Sequence, residues 1–218
     1  MKTNSVFVDS KWGEQTNDDN VAMAIEFRPD GSEVRIMTFP DGFTSLATRT
    51  WSVNETNETL NDGGEQRIAM LSKNQLMTEA SLAQNPGTGT ISEKLYRWTF
   101  QRLSEQDKTM AEQLVGRWTI SAAYDWKDGE WVGSQFGLPD ESWMEFGENG
   151  IWRMYSRKGS MESTSEDMKW SVNTTEGLLR NELDGQYKTR NIEMLDTDHI
   201  AIEFLDKTYK EVYVRDNK

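Results

Sequence analysis

Trp118, Ile120, Ala122, Tyr124 and Trp126 occupy every second position of one run, with Thr119, Ser121, Ala123 and Asp125 between them. A period of two puts alternate side chains on opposite faces of a strand, so this run predicts a β-strand with one buried face. Ile200, Ile202 and Phe204 alternate in the same way, as do Val21, Met23, Ile25 and Phe27. Turn residues separate the runs: Asp30-Gly31, Asn61-Asp62-Gly63, Asp128-Gly129 and Asn149-Gly150. Strand candidates in the second half start near Trp118, Trp131, Ser142, Ile151, Met168, Leu178, Ile192 with Ile200, and Tyr209. Short, evenly spaced strands with Gly and Asn turns predict an all-β sandwich or meander barrel.

The pattern also repeats. Trp51-Ser52-Val53-Asn54 returns as Trp170-Ser171-Val172-Asn173, and Ile25-Glu26-Phe27 followed by Asp30-Gly31 returns as Met144-Glu145-Phe146 followed by Asn149-Gly150. Before these, Val8 to Trp12 corresponds to Leu114 to Trp118. After them, Ile68 to Leu71 corresponds to Ile192 to Leu195, and Tyr96 to Arg102 corresponds to Tyr209 to Arg215. Collinear blocks of this kind predict two copies of one module, residues 1–104 and 105–218. Ser104-Glu105-Gln106-Asp107 reads as an N-cap with an acid at N3, and Met110 and Leu114 share one helical face. A short helix is therefore expected near 104–115, joining the copies and plugging the mouth of the second.

Gly116-Arg117-Trp118 resembles the Gly-x-Trp opening of lipocalins. The order that follows is similar to bacterial lipocalin-like (calycin) domains: a Trp strand, a Phe-x-x-Asn/Asp-Gly hairpin, a Trp-Ser-Val strand, Ile-x-x-Leu and a Tyr/Arg closing strand. The first copy departs from this pattern, with Ser10 where the Gly stands. The resemblance implies two tandem lipocalin-like antiparallel β-barrels joined by a short helix, each able to enclose one small apolar ligand. It also implies that Trp12 and Trp118 pack across a closed barrel end as core residues.

Composition agrees with a thin, aromatic-rich core under a polar surface. The chain has 218 residues, with nine Trp, eight Phe and six Tyr, at a mean hydropathy of -0.78. Each buried aromatic removes roughly 150–250 Å² from water, about 4–6 kcal/mol before entropy and denatured-state compaction are deducted. A net charge of -13 argues against nucleic acid and against an anionic membrane surface, both of which require clustered Lys and Arg. The absence of cysteine removes disulfides, thiolate nucleophiles and Cys-ligated metals. The first residues carry no apolar segment of signal-peptide type and no run approaches membrane-spanning length. The expectation is a cytoplasmic protein by default, or alternatively an exported mature chain.

Candidate chemistry is sparse. The single histidine, His199, lies beside Asp196 and Asp198 and reads as a turn residue. No Ser-His-Asp, Cys-His, Walker or dinucleotide pattern is present, and the acidic pairs read as solvated loop charges. The chain is therefore expected to be no enzyme and to use no metal or other cofactor. The remaining candidates are aromatic. Trp126 and Trp131 flank Asp128-Gly129 in a type I′ hairpin, either as a structural cross-strand pair or as a stacking platform at a barrel mouth. Residues 133–140 read as a mobile rim loop. Trp143, Trp152, Tyr155 and Trp170 cluster in the early strands of the second copy, either as filled core or as the wall of a cavity. Six of the nine Trp lie between Trp118 and Trp170. The expected function is non-catalytic binding of a small hydrophobic or amphipathic ligand, chiefly in the second barrel, at Trp126, Trp131, Trp143, Trp152, Tyr155 and Trp170. The alternative is a structural or protein-interaction module with filled barrels.

Overall fold

The structure is a computed structural model that describes residues 10–14, 21–84, 92–103 and 108–216. The chain forms two compact units, one of residues 1–40 and 47–107 and one of residues 41–46 and 108–218. Almost all regular structure is antiparallel β.

Unit 1 contains β1 (Ser10–Glu14), β2 (Ala22–Phe27), β3 (Ser32–Thr38), the end of β4 (Phe43–Thr50), β5 (Ser52–Asn54), β6 (Thr59–Asn61), β7 (Glu65–Leu71), β8 (Gln75–Gln84) and β9 (Ser92–Arg102). Its ladders run β3–β2–β1–β9–β8–β7–β6–β5. Trp12, Ile25, Phe27, Trp51, Leu60 and Phe100 form the centre of its core.

Unit 2 contains α1 (Met110–Leu114), β10 (Gly116–Lys127), β11 (Glu130–Gly133), β12 (Glu141–Phe146), β13 (Ile151–Lys158), β14 (Met161–Thr164), β15 (Met168–Asn173), β16 (Leu178–Leu183), β17 (Gln186–Met194), β18 (His199–Phe204) and β19 (Tyr209–Arg215). Eight of these strands close an antiparallel barrel in the order β10–β12–β13–β15–β16–β17–β18–β19 and back to β10. The strands β11 and β14 lie outside that ring, extending β10 and β13 beyond one end. Thr44 and Phe43 of the 41–46 segment add a short pairing to Val172 and Asn173 of β15.

The up-and-down order fixes two ends. The β12–β13, β15–β16 and β17–β18 turns share one end with α1, where Leu114 is fully buried and its carbonyl accepts the Trp118 indole N–H at 2.8 Å. Trp118 is itself fully buried, as is Trp12 in unit 1, which matches their expected core role. The N-cap of α1 is Thr109, in a reciprocal capping box with Glu112. The N-cap expected at Ser104 lies outside the described residues.

Several contacts recur in both units. Phe27 meets Trp51 edge-on at 5.0 Å and 64°, and Phe146 meets Trp170 at 5.1 Å and 71°. The Trp51 indole donates to the Arg28 carbonyl at 3.1 Å, and the Trp170 indole to the Gly147 carbonyl at 3.1 Å. The Trp51 and Trp170 backbone N–H groups donate to Gly31 and Gly150 carbonyls at 2.8 and 3.0 Å. Edge-on aromatic pairs contribute about 0.5–1.5 kcal/mol beyond the area they bury.

Three expectations about individual strands need correction. The alternation read from Trp118 to Trp126 breaks at a β-bulge between Ile120 and Ala122. One extra residue reverses which side chains face inward, so Ala123 rather than Ala122 is buried and Trp126 is exposed. The strand expected from Ile192 begins at Gln186, because Asp184 and Gly185 (φ 51° and 75°) form a tight turn that pairs Leu183 with Gln186. Strand β14 was not expected, since all four of its residues are exposed and none marks an inward face.

Candidate ligand-binding site

Leu179, Ile192, Ile202 and Tyr213 are buried on four neighbouring strands and mark the inward face of β16 to β19. Two residues further along each strand, away from α1, the pleat brings Asn181, Arg190, Phe204 and Glu211 to the same face. This layer sits below the end formed by the β10–β11, β13–β14 and β16–β17 hairpins and the β18–β19 turn.

Arg190 dominates the layer. Its Nη1 donates to Asn181 Oδ1 at 2.9 Å. Its guanidinium carbon lies 5.7 Å from the Trp152 ring centroid and 5.6 Å from that of Phe204. Burial holds the guanidinium below the usual arginine value, opposed by the charges of Glu211 and Tyr213. A guanidinium does not give up its proton in a protein, so burial leaves a charge that seeks an anion. Among the described residues no carboxylate comes within ion-pairing distance of it. Glu211 instead accepts the Tyr213 hydroxyl at 2.7 Å, and burial pushes the Tyr213 hydroxyl well above the usual tyrosine value.

Beside this layer lies an open cleft of about 440 Å³ lined by Lys188, Thr189, Arg190, Phe204, Leu205 and Asp206. The rim is unusually apolar. Seven of the eight large apolar side chains exposed in unit 2 belong to this end: Trp126 on the first hairpin, Phe136 and Leu138 on the following loop, Met161 on the β13–β14 hairpin, Tyr187 on β17, and Phe204 with Leu205 at the β18–β19 turn. Leu195 is the eighth.

The structure divides the six expected ligand residues among three places. Trp152 and Trp170 point into the barrel, and both pack on Phe146, Trp152 stacked at 5.9 Å and Trp170 edge-on. Trp143 and Tyr155 stack on each other at 5.6 Å on the outer face of β12 and β13, with the Arg117 guanidinium 4.2 Å over Trp143. Trp126 and Trp131 are opposite each other across the Asp128-Gly129 turn (φ 51° and 89°), edge-on at 5.0 Å. The loop read as mobile is tied down by Asp125, whose carboxylate accepts the Ser134 hydroxyl and the Gln135 N–H at 3.2 Å each. The Lys158 ammonium donates to the Phe136 carbonyl as well.

His199 is where its neighbours placed it, in the β17–β18 turn, with Nδ1 2.9 Å from Asp196 Oδ1. The Asp198 N–H and His199 hold the Asp196 carboxyl below its usual range. Among the described residues no group of three or more His, Asp or Glu is arranged to hold a metal ion, and no helix is long and apolar enough to cross a membrane.

No protein-family model matches the chain, and no curated protein matches it. Sequence reasoning passed over Arg190, Asn181 and Glu211. Their one signal was period two: Arg190 precedes Ile192 by two residues, as Glu211 precedes Tyr213.

Proposed function

We propose that unit 2 is a non-catalytic binding module for a small amphipathic ligand with an anionic head, held by Arg190 and with its apolar part on Phe204, Leu205 and the rim. The observation that carries this reading is the half-buried Arg190, whose direct partner is the neutral Asn181 rather than a carboxylate. A desolvated charge of this kind gains most from an incoming anion. The aromatic rings beside it leave room for an alkyl or aryl body while adding cation–π contacts of about 0.5–2 kcal/mol. We also propose that the two units are tandem copies of a lipocalin-like barrel. Support comes from the recurring Phe–Trp and indole–carbonyl contacts and from the matching strand order.

The test is a titration of the full chain with dodecanoate and with dodecylamine, read by tryptophan fluorescence. The expected result is saturable binding of dodecanoate at least tenfold tighter than the amine, with the preference lost in Arg190→Met. Equal binding of both, or a preference that survives Arg190→Met, overturns the assignment of the head group.

A protein-interaction module is the second reading, favoured by the apolar rim, which matches an exposed docking patch. A full chain that gives no saturable signal with either amphiphile supports it over the first.

A further inference from the structure

Unit 1 carries an interior polar chain that ligand binding in unit 2 does not use. Arg35 Nε donates to Glu33 Oε1 at 2.6 Å, and Arg35 Nη2 donates to Asp62 Oδ2 at 2.7 Å and to the Asp62 carbonyl at 3.0 Å. Gln66 Nε2 donates to Asp62 Oδ1 at 2.7 Å, and the Thr78 hydroxyl donates to Gln66 Oε1 at 2.6 Å. Glu33 and Thr78 are fully buried and Asp62 nearly so. The exception to this satisfied network is Glu33 Oε2, which is sealed from solvent and receives no hydrogen bond.

Two carboxyl groups thus share one guanidinium that cannot lose its proton. Asp62 has a donor on each oxygen and is served as a carboxylate. Glu33 has a donor on one oxygen only, and a bare buried carboxylate oxygen costs far more than a neutral acid in the same place. We infer that Glu33 is the protonated member of this pair and acts as a proton latch: unit 1 closes around the neutral acid and opens when Glu33 ionises. The groups facing Glu33 are Arg35 on its own strand, Asp62 at the β6–β7 turn and Arg49 on β4, while β2 places the uncharged Phe27 opposite it. Burial raises both carboxyls above their ordinary range, the two arginines pull them down, and the Asp62 charge pushes Glu33 up again.

A carboxyl that holds its proton more tightly when folded contributes stability that is complete below its ordinary value of 4.5. That stability is lost as the pH climbs from there through the raised value of the folded state. Across that window one proton leaves on opening, so the opening constant of unit 1 rises up to tenfold per pH unit and levels off above it.

Two measurements on the full chain test the latch. Hydrogen exchange, corrected for the intrinsic pH dependence of amide exchange, is read on peptides from β3, β6–β7 and β8 between pH 5 and 9. Wild type is expected to show the rise and plateau, and Glu33→Gln, which keeps the shape and removes the proton, a flat profile. A flat wild-type profile, or an unchanged slope in Glu33→Gln, overturns the inference. The second is the side-chain carboxyl ¹³C shift of Glu33, expected to titrate above the ordinary value of 4.5. A shift that titrates at or below 4.5 overturns the inference even if Glu33→Gln does not fold.

Discussion

Glu33 and Trp152 occupy the same register in their respective sheets, Glu33 opposite Phe27 across β2–β3 and Trp152 opposite Phe146 across β12–β13. The match extends to their surroundings. Leu60 pairs with Gln66 in unit 1 and Leu179 with Arg190 in unit 2, so Gln66 corresponds to Arg190, and Asp62 to Asn181. Each pair is hydrogen-bonded, Gln66 to Asp62 at 2.7 Å and Arg190 to Asn181 at 2.9 Å. The chemistry is exchanged between them. In unit 1 the cation is Arg35 and two carboxyls neutralise it; in unit 2 the cation is Arg190 and an amide meets it. That difference is why unit 2 is proposed to take up an anion and unit 1 to retain a proton.

Arg190→Met separates binding from stability. The substitution removes a half-buried charge without an ion pair, which is favourable, and strips Asn181 Oδ1 of its donor, which costs about 0.5–1.5 kcal/mol. Denaturant unfolding of the full chain is expected to give a stability within about 1 kcal/mol of wild type, while dodecanoate affinity falls by tenfold or more. A loss of several kcal/mol would mark Arg190 as a structural residue.

Two glycines with the same backbone conformation should differ in cost. Gly185 has φ 75° and open space where a Cβ would stand, so Gly185→Ala carries only the left-handed penalty of about 1–2 kcal/mol. Gly150 has φ 77°, and its Cβ would overlap the Leu46 carbonyl oxygen. Gly150→Ala is expected to cost about 1–3 kcal/mol more, because the overlapped atom is backbone and gives way poorly. Thermal unfolding of the two variants side by side checks the difference.

The Trp126–Trp131 pair can be assigned by a double-mutant cycle. As a cross-strand pair beside a type I′ turn it should couple by about 0.2–1 kcal/mol in unfolding experiments on Trp126→Ala, Trp131→Ala and the double variant. Zero coupling, together with weakened ligand binding in either single variant, would instead make the pair a stacking platform.

What the chain declared in advance was its aromatic framework. Trp118, Phe146 and Trp170 stand at alternating positions among turn glycines, and packing of large rings leaves a period-two trace in sequence. The inward polar residues left a weaker trace. Arg190 and Glu211 obey the same period as Ile192 and Tyr213, whereas Glu33 falls out of phase with the apolar Val34 and Ile36 of its own strand. A charged residue in a strand ordinarily faces water, and only coordinates place these three on the inside. The inversion of face after Ile120 was hidden because a bulge adds a residue without any special residue type. Trp143 and Tyr155 lie on the outer face by plain alternation, because Ser142, Met144 and Phe146 on β12 and Trp152 on β13 take the inward positions of an unbroken register.

The most direct test of ligand capture at Arg190 is a ¹H–¹⁵N titration of the full chain with dodecanoate, following the Arg190 Nε–H and the Trp152 indole N–H. The expected result is saturable shifts of both signals with one shared dissociation constant. Shifts confined to the 126–131 hairpin, or no movement of the Arg190 signal at saturation, would contradict it.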